Sequence, residues 1–176
     1  MDIKIEHLNL NDDEQIHSLV KWENDPELYH LLVPIMDKDK SEPIKTFESL
    51  KKTFVEKPDY ASSIFIILDG KKPVGNFSIQ LDPEHLMNKV EGTSWLGLTI
   101  GEKAYWGKGV AKIAMDYFEA ESKRRGASRV ELGTFEFNER AYSFYKKIGY
   151  VEIGRLDKFT YWNGKYWDDI RMEKIL

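Results

Sequence analysis

Trp95-Leu-Gly-Leu-Thr-Ile-Gly-Glu-Lys-Ala-Tyr-Trp-Gly-Lys-Gly-Val-Ala-Lys112 is the stretch on which the reading of this chain turns. Its first half sets large apolar residues (Trp95, Leu98, Ile100) among small ones and ends at Gly101, the pattern of a buried strand. Its second half places Gly107 and Gly109 directly before a helical repeat in which Val110, Ile113, Ala114, Tyr117 and Phe118 share one face and Gly126 closes the run. A strand, a glycine turn and a helix start make an anion site. Glycine lets a ligand approach the backbone, and the first helical turn offers unpaired N–H groups at the positive end of the dipole. The plainer alternative is that the two glycines only punctuate a strand-to-helix turn.

Two familiar phosphate motifs fail on spacing. A P-loop needs Ser or Thr directly after its Lys, and neither Lys108 nor Lys112 is followed by one. A dinucleotide fingerprint needs a third Gly or Ala where Lys112 stands.

Working outward, the 176 residues suffice for one domain, expected over 1–176, with a sizeable core. Hydrophobic residues at 41% and charged residues at 32% predict a folded chain rather than a disordered one. The net charge of −4 and the lack of a basic block argue against nucleic acid as a partner. With no cysteine, disulfides and thiol catalysis are excluded. No apolar run has membrane-spanning length and Met1-Asp-Ile-Lys-Ile is not a secretory signal, so no membrane partner and a cytoplasmic location are expected.

In chain order, Ile3–Leu8 reads as a strand. A helix over 13–22, capped by Asn11 or Asp12, carries Ile16, Leu19 and Val20 on its apolar face. Leu28–Val33 is a short helical piece, Pro34–Pro43 a polar loop, and Thr46–Val55 a helix aligning Phe47, Leu50 and Phe54. Ser63–Leu68 and Pro73–Leu81 are strands around an Asp69-Gly70 turn, and the strand of the opening stretch follows. Arg129–Phe135 is a fifth strand. Asn138–Ile148 is a helix capped by Asn138 and stopped by Gly149. Tyr150–Leu156, Phe159–Trp162 and Tyr166–Lys174 are strands, the last two joined by an Asn163-Gly164 turn. A helix crossing between two strands makes them parallel, while hairpins add antiparallel partners. The expected fold is therefore α/β (α+β), with a mixed, mostly antiparallel sheet flanked by helices.

Asn138 and Tyr145 lie two turns apart on one helical face. The ordinary reading is a cap and a core aromatic beside Ala141, Phe144 and Ile148; the other is a phenol placed to donate a proton. Taken together, Trp106-Gly-Lys-Gly109-Val-Ala111 and the set Asn138, Ala141, Phe144, Tyr145 resemble the two motifs of the Gcn5-related N-acetyltransferase family, Arg/Gln-x-x-Gly-x-Gly/Ala and Asn-x-x-Ala-x-x-Phe/Leu-Tyr. The likeness extends to the element order. Trp106 and the ending Asn163-Gly-Lys-Tyr-Trp-Asp-Asp-Ile-Arg-Met look most like the branch that acetylates ribosomal-protein N-termini, polyamines and related amines.

The resemblance implies an acyl-CoA N-acyltransferase fold with splayed fourth and fifth strands and acetyl-CoA between them, with no metal. The pantetheine would pair with the backbone of Leu98, Thr99 and Ile100. The pyrophosphate would take the turn formed by Trp106, Gly107, Lys108, Gly109, Val110, Ala111 and Lys112. Asn138 and Tyr145 would meet the cofactor, Tyr145 as the catalytic group that protonates or holds the departing thiolate. The acceptor would be a primary amine: a protein N-terminus, a polyamine, an aminoglycoside or another small amine. Where many relatives carry a Glu on the fourth strand, this chain has Trp95, so Glu131, Glu136, Glu91 or water remain as the base, each carboxylate being expected at the surface. Glu23, Asp25, Glu27, Asp37, Asp39 and Glu42 form an acidic rim or a set of solvated charges, and Trp22, Tyr29 and Phe47 line the acceptor pocket or simply pack. Two rival readings are a CoA-binding sensor that has lost catalysis and a structural partner that dimerises through Tyr161, Trp162, Tyr166 and Trp167.

Overall fold

A computed structural model describes residues 1–39 and 44–176. Its strands are β1 (Ile3–His7), β2 (Ile64–Asp69), β3 (Lys72–Leu81), β4 (Thr93–Thr99), β5 (Arg129–Phe135), β6 (Val151–Trp162) and β7 (Lys165–Ile175). They form one sheet in the order β1-β2-β3-β4-β5-β7-β6. The helices are α1 (Asp13–Asn24), α2 (Pro26–Leu32), α3 (Phe47–Glu56), α4 (Pro58–Ser62), α5 (Val110–Arg124) and α6 (Glu139–Lys147), with a 3₁₀ turn at Lys103–Tyr105. The chain divides into two compact units. One comprises Met1–Tyr29, Pro43–Ile79 and Gly97–Glu121; the other comprises His30–Glu42, Gln80–Leu96 and Ser122–Leu176.

In the first unit β1, β2 and β3 form an antiparallel meander. Ile64 to Leu68 are all buried, because β2 is covered on both faces. Phe65, Phe77 and Phe118 build an aromatic centre there, Phe65 stacked on Phe77 at 4.9 Å and Phe118 edge-on to Phe77. The side chain of Asp12 caps α1 by accepting from the N–H groups of Glu14 and Gln15, and Thr46 caps α3 in a reciprocal box with Ser49. On α5 the buried residues of this unit include Val110, Ala114, Met115 and Phe118. Ile113 and Tyr117, expected on that face, are 44% and 38% exposed at its edge.

In the second unit β4 and β5 run parallel, in register from Thr93–Arg129 to Leu96–Leu132. β5 then continues to Phe135 against antiparallel β7, and β6 closes the edge. Val130, Leu132, Ile170 and Met172 supply the apolar core between these strands and their cover. The two pieces expected at Tyr150–Leu156 and Phe159–Trp162 are one strand. Lys158, at φ 50°, takes up a register shift between Leu156 and Thr160, and pairing with β7 resumes beyond it. Asn163 (φ 49°) and Gly164 (φ 85°) make the expected hairpin turn. Two elements were not expected: α4, which starts on Pro58, and the 3₁₀ turn.

Where β4 leaves the sheet, Gly101 lies flat against Trp22. A Cβ at Gly101 would fall on the indole ring. Trp22 is itself 1% exposed and donates from Nε1 to Glu102 at 3.1 Å. Gly101→Ala should therefore cost about 2–3 kcal/mol through overpacking, read as a lowered urea midpoint. Gly97→Ala, whose added methyl would have Ser78 Oγ as its nearest contact at 3.1 Å, should cost clearly less.

Candidate active site

The glycine turn is a preformed open cradle. Gly107 (φ 71°) and Gly109 (φ 83°) occupy the left-handed region that other residues avoid, and a Cβ built at either would meet no atom within 4 Å. α5 begins at Val110, so the amides of Val110 and Ala111 have no carbonyl one turn back, whereas those of Lys112 and Ile113 donate to the carbonyl of Gly109 at 3.0 and 3.2 Å. Trp106 fixes the turn to the end of the strand by donating from Nε1 to the carbonyl of Ile100 at 2.7 Å. Lys108 is exposed, and Lys112 is tied to Asp116 one turn along α5. Leu98, Thr99 and Ile100 are half-buried, and Gly75 on β3 lets the carbonyl of Thr99 pack against it.

Between the end of β4 and the turn, Glu102 organises the junction. It accepts from Lys21 Nζ at 2.5 Å and from Trp22, with Lys72 Nζ 3.9 Å away. Burial raises its pKa, but the bonds from Lys21 and Trp22 and the charges of Lys21 and Lys72 outweigh that and hold it below the ordinary carboxylate value. Glu27 and Asp25 both pair with Lys103, so two members of the expected acidic rim share a single positive charge. Burial pushes Glu23 up, against the charge of Lys45. Asp37 accepts from the N–H of Asp39 in a turn, and Glu42 lies outside the described residues. Trp22 packs, and Phe47 stacks on His17 at 4.5 Å.

Asn138 and Tyr145 belong to the second unit, on α6. Asn138 Oδ1 accepts from the N–H of Ala141 at 3.2 Å, a true cap. Tyr145 is 7% exposed, its ring against Phe144 and Tyr150 at 5.4 and 5.8 Å. Its hydroxyl has no hydrogen-bond partner among the described residues. Burial pushes the phenol well above its ordinary pKa, so it keeps its proton throughout the working pH range. Beside the start of α6 lies a pocket of about 390 Å³ lined by His30, Phe137, Asn138, Glu139, Trp162 and Trp167 among others. His30 stacks on Trp162 at 3.9 Å and 8°, and Trp167 meets Phe137 edge-on.

The carboxylates proposed as bases divide sharply. Glu131 is not at the surface: it is fully buried. Arg129 Nη2 donates to it at 3.0 Å, and the N–H groups of Met87 and Asn88 donate at 2.7 and 3.3 Å. It thus fastens the loop between β3 and β4 onto β5, and its lone pairs are taken. The sequence hid this because Met87 and Asn88 lie more than 40 residues away. Glu136 is paired with Arg155 at 3.2 Å, and Glu91 is exposed. A further carboxylate, Asp169, was missed; the signal was Gly133, a glycine in the middle of a strand. Among the described residues no group of three His, Asp or Glu is placed to hold a metal ion, and no helix is long and apolar enough to cross a membrane.

Residues 16–150 match the model of the Acetyltransferase (GNAT) family. The chain belongs to that family. It is accordingly an acyltransferase. By sequence it is similar to N-alpha-acetyltransferase 30 of Schizosaccharomyces pombe, 29% identical over 131 residues that make up 74% of this chain and 81% of the relative. By fold it is similar to ribosomal-protein-alanine N-acetyltransferase from Brucella melitensis (TM-score 0.76, 18% identity, 98% of this chain and 99% of that one). It is also similar to spermidine N-acetyltransferase from Vibrio cholerae in complex with CoA and spermine (TM-score 0.78, 18% identity, 99% and 95%).

The pairing of Glu131 predicts a structural role. Glu131→Gln should lower unfolding free energy by about 2 kcal/mol, because it removes the buried negative charge that Arg129 and two backbone N–H groups serve and leaves Arg129 with Glu173 alone. Chemical denaturation checks this, and a variant as stable as wild type would show that the ion pair is dispensable.

Proposed function

We propose that this GNAT member transfers the acetyl group of acetyl-CoA to a primary amine, that the chain 1–176 works as one N-acetyltransferase domain, and that it does so in the cytoplasm. The observation that carries this is the open glycine cradle at the start of α5. A pyrophosphate suits it: the amides of Gly107, Gly109, Val110 and Ala111 give hydrogen bonds and the helix dipole adds positive potential, those of Lys108 and Lys112 being already bonded to the carbonyls of Tyr105 and Gly109. Leu98, Thr99 and Ile100 offer backbone groups to the pantetheine amides, and Trp106 holds the turn in shape. Asn138 and Tyr145 complete the cofactor contacts.

The chemistry follows from the groups in hand. The amine must lose a proton, since alkylammonium groups titrate near 10. Its lone pair then attacks the thioester carbonyl, and a backbone N–H of β4 serves the oxyanion. The C–S bond breaks, Tyr145, protonated throughout the working pH range, donates to the thiolate, and the proton that the acetylated nitrogen then loses restores the phenol through water. The aromatic pocket of His30, Phe137, Trp162 and Trp167 suits the part of the acceptor that carries the amine. That N-alpha-acetyltransferase 30 and the ribosomal-protein-alanine and spermidine enzymes are its relatives supports amines as the acceptor class and leaves protein N-termini and polyamines as the first to try.

The experiment is a screen of thiol release from acetyl-CoA with polyamines, aminoglycosides, amino acids and short peptides, followed by Tyr145→Phe. This substitution keeps the ring and removes the hydroxyl. Turnover should fall about 10²-fold or more, with acetyl-CoA affinity little changed. An unchanged rate at every pH would remove Tyr145 from the mechanism. Acetyl-CoA binding without transfer to any amine would favour the CoA-binding sensor.

A further inference from the structure

We propose that Asp169, a buried carboxylate on β7 seated over Gly133, is the group that binds the acceptor's ammonium and takes its proton. The proposal rests on the acetyltransferase reading above and adds the base that reading lacks.

Gly133 is the first clue. It lies in mid-strand with ordinary extended backbone, so no turn demands a glycine, and a mid-strand glycine weakens a sheet. Its role is to make room. A Cβ at Gly133 would sit 2.8 and 2.9 Å from the two carboxylate oxygens of Asp169. Gly133 also immediately follows Leu132, where the registered pairing of β4 with β5 ends.

Charge is the second clue. On this face two cations, Arg129 and Arg171, meet three carboxylates, Glu131, Asp169 and Glu173. Arg129 serves Glu131 and Glu173. Arg171 is divided: Nε donates to Asp169 Oδ2 at 2.7 Å, Nη1 donates to the carbonyl of His85 at 3.1 Å and approaches Glu131 at 3.6 Å, and its carbon lies over the Trp95 ring at 4.6 Å. One negative charge is in surplus, and Asp169 Oδ1 has no hydrogen-bond partner among the described residues. His85, edge-on to Trp95, adds no cation near neutrality: burial and the charge of Arg171 lower its pKa, against Glu131. Burial pushes the Asp169 carboxyl up, against Arg171, which moves it toward the range of a working base.

Position is the third. Trp167, which lines the aromatic pocket, is two residues before Asp169 on β7 and so faces the same side, about 7 Å along the strand. An amine whose carrier fills the pocket can extend its ammonium to the carboxylate. The step balances: an ammonium N–H proton passes to Oδ1, the freed lone pair forms the C–N bond, the C–S bond breaks as Tyr145 protonates the thiolate, the acetylated nitrogen gives up its second proton to restore the phenol through water, and Asp169 returns its proton to water.

The test is ¹³C NMR of protein labelled at aspartate Cγ, titrated in pH with and without n-butylammonium chloride, with tetramethylammonium chloride as the salt control. The expected result is one carboxyl resonance, absent in Asp169→Asn, that titrates above the ordinary aspartate range and shifts its midpoint downward with n-butylammonium only. Gly133→Ala, which displaces the carboxylate without touching its charge, should abolish the response, and it serves as the reference if Asp169→Asn does not fold. Thiol release from acetyl-CoA with n-butylamine should fall about 10²-fold or more in Asp169→Asn. A resonance indifferent to n-butylammonium overturns the proposal whether or not acetyl transfer occurs. A resonance that responds while no amine is acetylated supports the ammonium site and counts against the acetyltransferase reading instead.

Discussion

A parallel strand pair cannot be closed by a tight turn, and the rest of this structure follows from the fact that β4 and β5 are such a pair. The chain must leave β4 at Thr99, turn, and return through a helix before β5 can begin at Arg129. That detour supplies the two left-handed glycines and places the open first turn of α5 just after the end of β4. The anion cradle is thus a by-product of sheet topology made usable by Gly107 and Gly109. Trp22 under Gly101 and the Lys21–Glu102 pair then hold the junction against the rest of its unit.

On β5 and β7 a second constraint operates. Carboxylates and guanidinium groups buried together must satisfy one another, since an unpaired buried charge is costly. Glu131 does this completely, with two backbone N–H donors and Arg129, and thereby secures the loop between β3 and β4. Asp169 does it only in part, sharing one arginine with several other groups. Two buried acids on neighbouring strands therefore have opposite chemical prospects: one is structural, the other reactive.

Much of this was legible in the sequence. Arg129–Phe135 and the helix capped by Asn138 stand where turn residues and apolar spacing put them, because glycine and asparagine at element ends act locally. The parallel pair followed from the crossover helix. What escaped was non-local or too short. α4 has five residues, too few to show a period, and Pro58 was its only signal. Asp157-Lys158 looks like a strand end, yet pairing with β7 carries β6 past the bulge at Lys158. On α5 the repeat at Val110, Ala114 and Phe118 was clear, but whether Ile113 or Met115 joins it depends on neighbours the sequence does not identify. The same holds for Glu131 and Asp169, whose burial is set by residues on other strands. The motif residues from Leu98 to Lys112 were legible as an anion site; that both glycine positions are open space became visible only in three dimensions.

The central claim is that the α5 cradle binds the pyrophosphate of acetyl-CoA, and calorimetric titration of acetyl-CoA into wild type and Gly109→Val tests it most directly. The account predicts saturable binding to wild type and none detectable to a Gly109→Val protein whose circular dichroism is unchanged, because the branched side chain would occupy the phosphate's approach. Equal affinity in the two folded proteins would contradict it.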